Sequence, residues 1–141
     1  MLMFTYGTLK DPLRLEQDGA IITVENAVVQ GFKMYSNKGF FPITKRTGNT
    51  NDVIYGTLFV IPKHVITQYY DRIEGYIPGR DPKLNMYNRE KVNVSVNGKQ
   101  VEAEMYVANE DMFEELYEDS NLVESGNWDD VGRARNIYEW W

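Results

Sequence analysis

Short apolar stretches separated by turn residues run through most of this chain, and their spacing changes character near residue 65. Leu2-Met3-Phe4-Thr5-Tyr6 is rich in β formers and runs into Gly7-Thr8-Leu9-Lys10-Asp11-Pro12, a strand followed by a turn. Residues 11–20 are polar around Leu13 and Leu15, a pattern that fits a short helix or an irregular loop equally well. Ala20–Val24 and Ala27–Val29 predict strand, continuing past Gly31 into Phe32, Met34 and Tyr35, with Gly31 marking a bulge or bend. Asn37-Lys38-Gly39 is a turn signal, and Pro42 makes Phe40–Thr44 an edge or broken strand. After the polar loop at 48–52, Val53–Ile61 predicts a strand leading into a helix.

In that helix the apolar residues Val65, Ile66, Tyr69, Tyr70 and Ile73 recur at a 3.6-residue period. Pro62 suits its first turn, and Gly75 supplies its stop. At about 100° per residue, Asp71 falls opposite the apolar face and is expected to be wet, whereas Glu74 lies at the edge of that face in the row of Ile66 and Tyr70. Partial burial and the unpaired carbonyls of the last turn both disfavour a charged carboxylate there, so Glu74 is expected to have a raised pKa. Such a carboxyl suits a general base; the other reading is a solvated acid at a frayed helix end. Gly75, Pro78, Gly79, Asp81 and Pro82 then form a loop, either a substrate-facing lid or an ordinary connector.

Met86–Val96 predicts a strand whose alternation changes phase near Lys91, read as a bulge. Asn97-Gly98 is a type I′ hairpin signal. The return strand puts Val101, Ala103, Met105 and Val107 on one face and Glu102, Glu104 and Tyr106 on the other. Residues 110–119 predict an amphipathic helix around Met112, Phe113, Leu116 and Tyr117, its acids forming a solvated face. The stretch 126–141 is too aromatic for a typical disordered end, and is expected to pack over the domain or against a partner subunit as a homodimer contact.

The 141 residues predict a single domain over 1–141, with 43% hydrophobic and 26% charged residues in the balance of a globular chain. A net charge of −6 and the lack of a basic cluster interleaved with aromatics argue against nucleic acid as a partner. With no cysteine there are no disulfides, thiol nucleophiles or thiolate metal sites. No apolar run or leader suggests a membrane association, and the expected location is the cytoplasm. His64, the one histidine, lies on the polar side of the helix and completes no catalytic set, so a surface role is expected.

Phe4-Thr5-Tyr6-Gly7-Thr8-Leu9-Lys10 and Tyr70-Asp71-Arg72-Ile73-Glu74-Gly75-Tyr76 resemble two motifs of the γ-glutamylcyclotransferase-like superfamily: its Tyr-Gly-Thr/Ser-Leu loop and its Leu-Asp-x-x-Glu-Gly segment. Tyr87-Asn88-Arg89, Val92, Val94, Ala103 and Tyr106 are similar to the family's continuation, so the resemblance covers about residues 2 to 108. Thr8-Leu9-Lys10 looks closer to the γ-glutamylamine cyclotransferase branch, while Tyr70 in place of leucine and Asp11-Pro12 after Lys10 depart from the family pattern.

The resemblance implies an α+β fold: a small mixed, mainly antiparallel β-barrel with flanking helices. It implies that Glu74 is the catalytic acid/base, and that Tyr6, Gly7, Thr8 and Leu9 cradle the substrate together with Tyr87. The implied reaction closes the γ-glutamyl unit of a small molecule to 5-oxoproline, releasing an amine, amino acid or peptide without a cofactor or metal. The alternatives are a non-catalytic small-molecule-binding module and a protein-interaction domain on the same fold.

Overall fold

The computed structural model describes residues 1–7, 12–37, 39 and 41–132. The chain runs through β1 (Leu2–Thr5), α1 (Pro12–Gln17), β2 (Ile21–Gln30), β3 (Phe32–Asn37), β4 (Phe41–Arg46) and β5 (Val53–Val60). A helix over 63–73 (α2) follows, then β6 (Tyr87–Val96), β7 (Lys99–Ala108), α3 (Glu114–Glu118), β8 (Asn121–Val123) and α4 (Asp129–Gly132). Five strands close into a barrel in the order β1-β5-β2-β6-β7, and β4-β3-β8 form a second, three-stranded sheet. The pairings are antiparallel except where β7 meets β1, with Met3 opposite Glu104, and that parallel contact closes the barrel.

Because strand side chains alternate, each barrel strand contributes to two different apolar layers. Phe4, Val29, Ile54, Leu58, Val94 and Met105 fill one cluster, into which Trp128 also packs. Their neighbours Met3, Phe59 and Tyr106 point the other way and form a second cluster with Leu15 of α1 and Ile66 and Tyr70 of α2. This second layer explains the change of phase near Lys91. The β6–β7 register runs without a break from Tyr87↔Ala108 to Val96↔Lys99, so there is no bulge at Lys91. Instead α2 covers the outer face at the Tyr87 end, where both sides of β6 are shielded, and leaves the distal end half exposed.

The bulge lies earlier, in β2, whose register against β5 shifts on both sides of Val24 and before Ala27, with Asn26 at φ +59°. Gly31, at φ +89°, is the bend that carries the chain from the barrel into the second sheet. Its carbonyl accepts from the Thr47 and Gly48 amides at 2.8 and 3.2 Å. Pro42 sits in β4, an edge strand as expected. Asn97 and Gly98, at φ +50° and +77°, make the β6–β7 hairpin turn.

One expectation about the later part of the chain needs correction. The helix expected over 110–119 is confined to Glu114–Glu118; Phe113 is buried but Met112 is exposed. The stretch from 126 is integral to the barrel as far as it is described. The Gly126 carbonyl accepts from the Tyr55 amide at 2.9 Å, and a Cβ on Gly126 would stand 2.0 Å from the Val53 carbonyl oxygen. Residues 133–141, on which the expected dimer contact partly rests, lie outside the described residues.

Candidate active site

The site is built at the end of α2, and α2 is not the regular helix that its apolar period predicts. Lys63–Val65 form an α-turn, Ile66–Tyr70 a π-helical segment and Asp71–Ile73 a final α-turn. Pro62 precedes the first turn as its N-cap residue. In the π segment the Asp71 amide donates to the Ile66 carbonyl five residues back. One residue more per turn advances everything after it around the axis, so Asp71 turns inward and Tyr69 and Ile73 turn out to solvent. The expectation of a wet Asp71 is therefore wrong: the side chain is 2% exposed.

Asp71 lies in a polar cluster between α2 and the barrel. Its Oδ1 accepts from the Tyr106 hydroxyl at 2.6 Å and from Arg89 Nε at 3.1 Å, and its Oδ2 accepts from Arg89 Nη2 at 3.4 Å. Arg89 Nη1 donates to both Glu104 oxygens at 3.0 and 3.1 Å, and the guanidinium stands over the Tyr76 ring. Burial works to lower the Arg89 pKa, but the hydrogen bond and charge of Asp71, with Glu104, leave it raised. Burial and the bond to Asp71 push the Tyr106 phenol up. This hydroxyl stays protonated and remains a donor.

Glu74 caps the helix. The Tyr76 amide donates to the Asp71 carbonyl at 2.8 Å and the Gly75 amide to the Arg72 carbonyl at 3.2 Å, a Schellman turn that needs the left-handed φ of +67° at Gly75. The Glu74 and Gly75 carbonyls then accept from the Tyr87 and Met86 amides at 3.2 and 3.3 Å, which ties the helix end to the start of β6. The intervening loop is braced from within. The Oδ1 of the fully buried Asn85 accepts from Arg80 Nε at 2.7 Å and the Ile77 amide at 3.3 Å, while its carbonyl accepts from Asn109 Nδ2 at 2.9 Å. None of the residues lining the cleft beneath Glu74 comes from this loop, which favours the connector reading over the lid.

That cleft has a volume of about 240 Å³. Glu74 is the one carboxyl among its described lining residues; the others are Phe4, Thr5, Tyr6, Gly7, Phe41, Pro42, Tyr87 and Tyr106. The Glu74 carboxyl forms no hydrogen bond or ion pair with a described side chain, and burial raises its pKa from 4.5 to about 7. Tyr87 is pushed up to about 12, by burial first and then by the charge of Glu74. Tyr6 is raised well above the ordinary phenol value, chiefly by burial, and its hydroxyl donates to the Tyr106 carbonyl at 3.2 Å. At Gly7 a Cβ would stand 3.2 Å from Pro42 Cγ, so the glycine keeps the gap between β1 and β4 open.

Of the residues singled out in the sequence, Glu74, Tyr6, Gly7 and Tyr87 therefore share one cleft, while Thr8 and Leu9 lie outside the described residues. Sequence reasoning missed Phe41 and Pro42, which an edge strand of the other sheet brings across the cleft, and the cluster of Asp71, Arg89 and Tyr106. A signal for Tyr106 was available, since a phenol on the same strand face as Glu102 and Glu104 stands out on a surface otherwise written in acids. His64 is exposed and takes no part. Among the described residues no three potential metal ligands cluster.

The closed five-stranded barrel thus carries a helix-end carboxyl beside an aromatic cleft. Residues 3–130 match the family model described as gamma-glutamyl cyclotransferase, AIG2-like, and the chain belongs to that family. No curated protein matches it in sequence. Among solved structures, it is similar to a uropathogenic E. coli-specific protein with a TM-score of 0.63 at 15% identity, covering 96% of this chain and 97% of the other. A protein from Homo sapiens shows a TM-score of 0.57 at 21% identity over 76% of this chain and 65% of its own. One from Arabidopsis thaliana shows 0.56 at 21% identity over 99% and 71%. At these identities the likeness concerns the fold.

Proposed function

We propose that the protein is a cyclotransferase that converts a γ-glutamyl compound to 5-oxoproline and a free amine, with Glu74 as its acid/base. The observation that carries this reading is a single carboxyl, with a pKa near 7, over a cleft otherwise lined by aromatic and small residues. The α-ammonium of a γ-glutamyl unit has no lone pair. Ionised Glu74 takes one of its protons, the amine nitrogen attacks the γ-carbonyl carbon, and an oxyanion forms as the five-membered ring closes. As the oxyanion collapses, the bond to the leaving nitrogen breaks and protonated Glu74 gives its proton to that nitrogen. The ring nitrogen, which still carries two protons, then loses one to Glu74, which passes it to the departing amine, so that the lactam leaves neutral at nitrogen, the amine leaves as an ammonium and the acid/base is regenerated. A carboxyl that titrates near neutrality serves both halves of this cycle, being ionised often enough to accept and acidic enough to donate.

The shape of the cleft supplies the rest. Reacting groups that belong to one molecule need only be folded toward each other, and Tyr6, Phe41 and Tyr87 supply apolar walls against which such a chain can pack. Gly7 opens the approach to the loop that, by family resemblance, holds the α-carboxylate or the oxyanion. The test is a panel of γ-glutamyl amines, amino acids, peptides and isopeptides incubated with purified protein and analysed for 5-oxoproline. Release from at least one member, lost in Glu74→Gln, is the expected result. Binding without release would instead identify a binding module.

A further inference from the structure

The Glu74 carboxyl has no hydrogen-bonded partner of its own among the described side chains, so its direction is set by the backbone that carries it. That backbone is the last turn of α2, and it leaves the π segment only one turn before Glu74. A π segment is a poorer helix than the α form and recurs where a side chain must be re-aimed. Here the re-aimed side chain is Asp71. It reaches Tyr106 on β7 and Arg89 on β6, two adjacent barrel strands, in a space where the carboxyl is 2% exposed. Tyr106 also lines the cleft, and its carbonyl holds the Tyr6 hydroxyl on the far wall. Helix end and cleft wall thus meet at one carboxyl.

We propose that Asp71 is the positioning residue of this site: through Tyr106 and Arg89 it fastens the last turn of α2 to β6 and β7, and that fastening fixes both the direction and the dryness of the Glu74 carboxyl. The proposal rests on the reading of Glu74 as the acid/base. It separates Asp71 from an ordinary structural ion pair by what happens to Glu74 when the fastening is loosened. The charged and titratable groups around Glu74 are Tyr6 just after β1, Tyr87 from β6 and Tyr106 from β7, with Asp71, Arg89 and Glu104 behind Tyr106. Burial is what holds the Glu74 pKa up. A helix end free to lift admits water, and the carboxyl then returns toward its ordinary value.

The experiment titrates the Glu74 side-chain carboxyl by 13C NMR in protein labelled at glutamate, assigned by its absence from Glu74→Gln. Asp71→Asn and Tyr106→Phe are compared with wild type and with Val94→Ala, a barrel-core change away from the cluster that destabilises generally. In Asp71→Asn and Tyr106→Phe the midpoint is expected to fall from about 7 toward 4.5, while Val94→Ala leaves it in place. With an active substrate in hand, kcat falls roughly 10-fold to 10²-fold in the two cluster variants. The acid limb of kcat/KM moves to lower pH in step with the NMR midpoint. Folded cluster variants whose Glu74 still titrates at about 7 overturn the proposal. So does failure of both to fold, which would make the cluster a folding element. The NMR midpoint needs no turnover, so an inactive protein with a shifting midpoint counts against the proposed reaction and leaves the positioning role standing.

Discussion

A carboxyl lifted from 4.5 to about 7 affects the stability of the protein as well as its chemistry. Because the folded-state pKa of Glu74 lies above the unfolded one, the protonated form favours the native state. Its contribution is fully present below about pH 4.5 and is lost as pH rises through about 7. Glu74→Gln keeps the shape without the charge and escapes that loss. The difference in thermal midpoint, variant minus wild type, is therefore expected to grow between pH 4.5 and 7 and to level off above, measured by calorimetry across that range. It corresponds to at most about 3.4 kcal/mol. A difference that stays flat with pH would mean that Glu74 is solvated. Glu74 itself was legible from its place beside Ile66 and Tyr70 at the helix edge. Asp71 was not, because the wheel that exposes it assumes 3.6 residues per turn and the chain departs from that period five residues earlier.

At the scale of the element, α2 depends on where it starts, where it widens and where it stops. The start and stop were readable from Pro62 and Gly75, since both act through backbone constraints that any sequence carries. The widening was not readable, because it answers contacts with Arg89 and Tyr106, which are remote in sequence. Gly75 allows a test of the stop. Alanine there must adopt φ +67°, and its Cβ would stand 3.1 to 3.3 Å from the Met86 side chain. Gly75→Ala is expected to cost roughly 1–2 kcal/mol in urea unfolding and to displace Glu74, lowering kcat. Unchanged stability would show that the helix ends without help from the left-handed turn. The loop that follows illustrates the same limit of legibility. Its glycines and prolines marked it as irregular, but the brace between Arg80 and Asn85 that makes it a connector joins residues that the sequence pattern does not link.

For the molecule as a whole, the alternation of the strands made most of the core readable, while closure of the barrel came only through the family resemblance. The parallel contact of Met3 with Glu104 spans most of the chain, and no local pattern encodes it. The apparent bulge at Lys91 was an error of the same origin: a second layer, supplied by α2, buried the outer face of β6 at one end. Trp128 measures how far the fold depends on the chain beyond β8. Packed into the barrel cluster at 5% exposure, it is expected to cost roughly 3–5 kcal/mol when replaced by alanine, read as a fall in the urea midpoint. A loss below about 1 kcal/mol would place that stretch outside the cooperative unit.

The central claim is that Glu74 moves the proton, and the pH dependence of kcat/KM for 5-oxoproline release, in wild type and Glu74→Gln, tests it most directly. The wild-type profile is expected to fall on its acid side with a pKa of about 7, and the variant to lose roughly 10²-fold to 10⁴-fold at neutral pH with that limb gone. A Glu74→Gln protein that releases 5-oxoproline at the wild-type rate, with the same acid limb, would contradict the account.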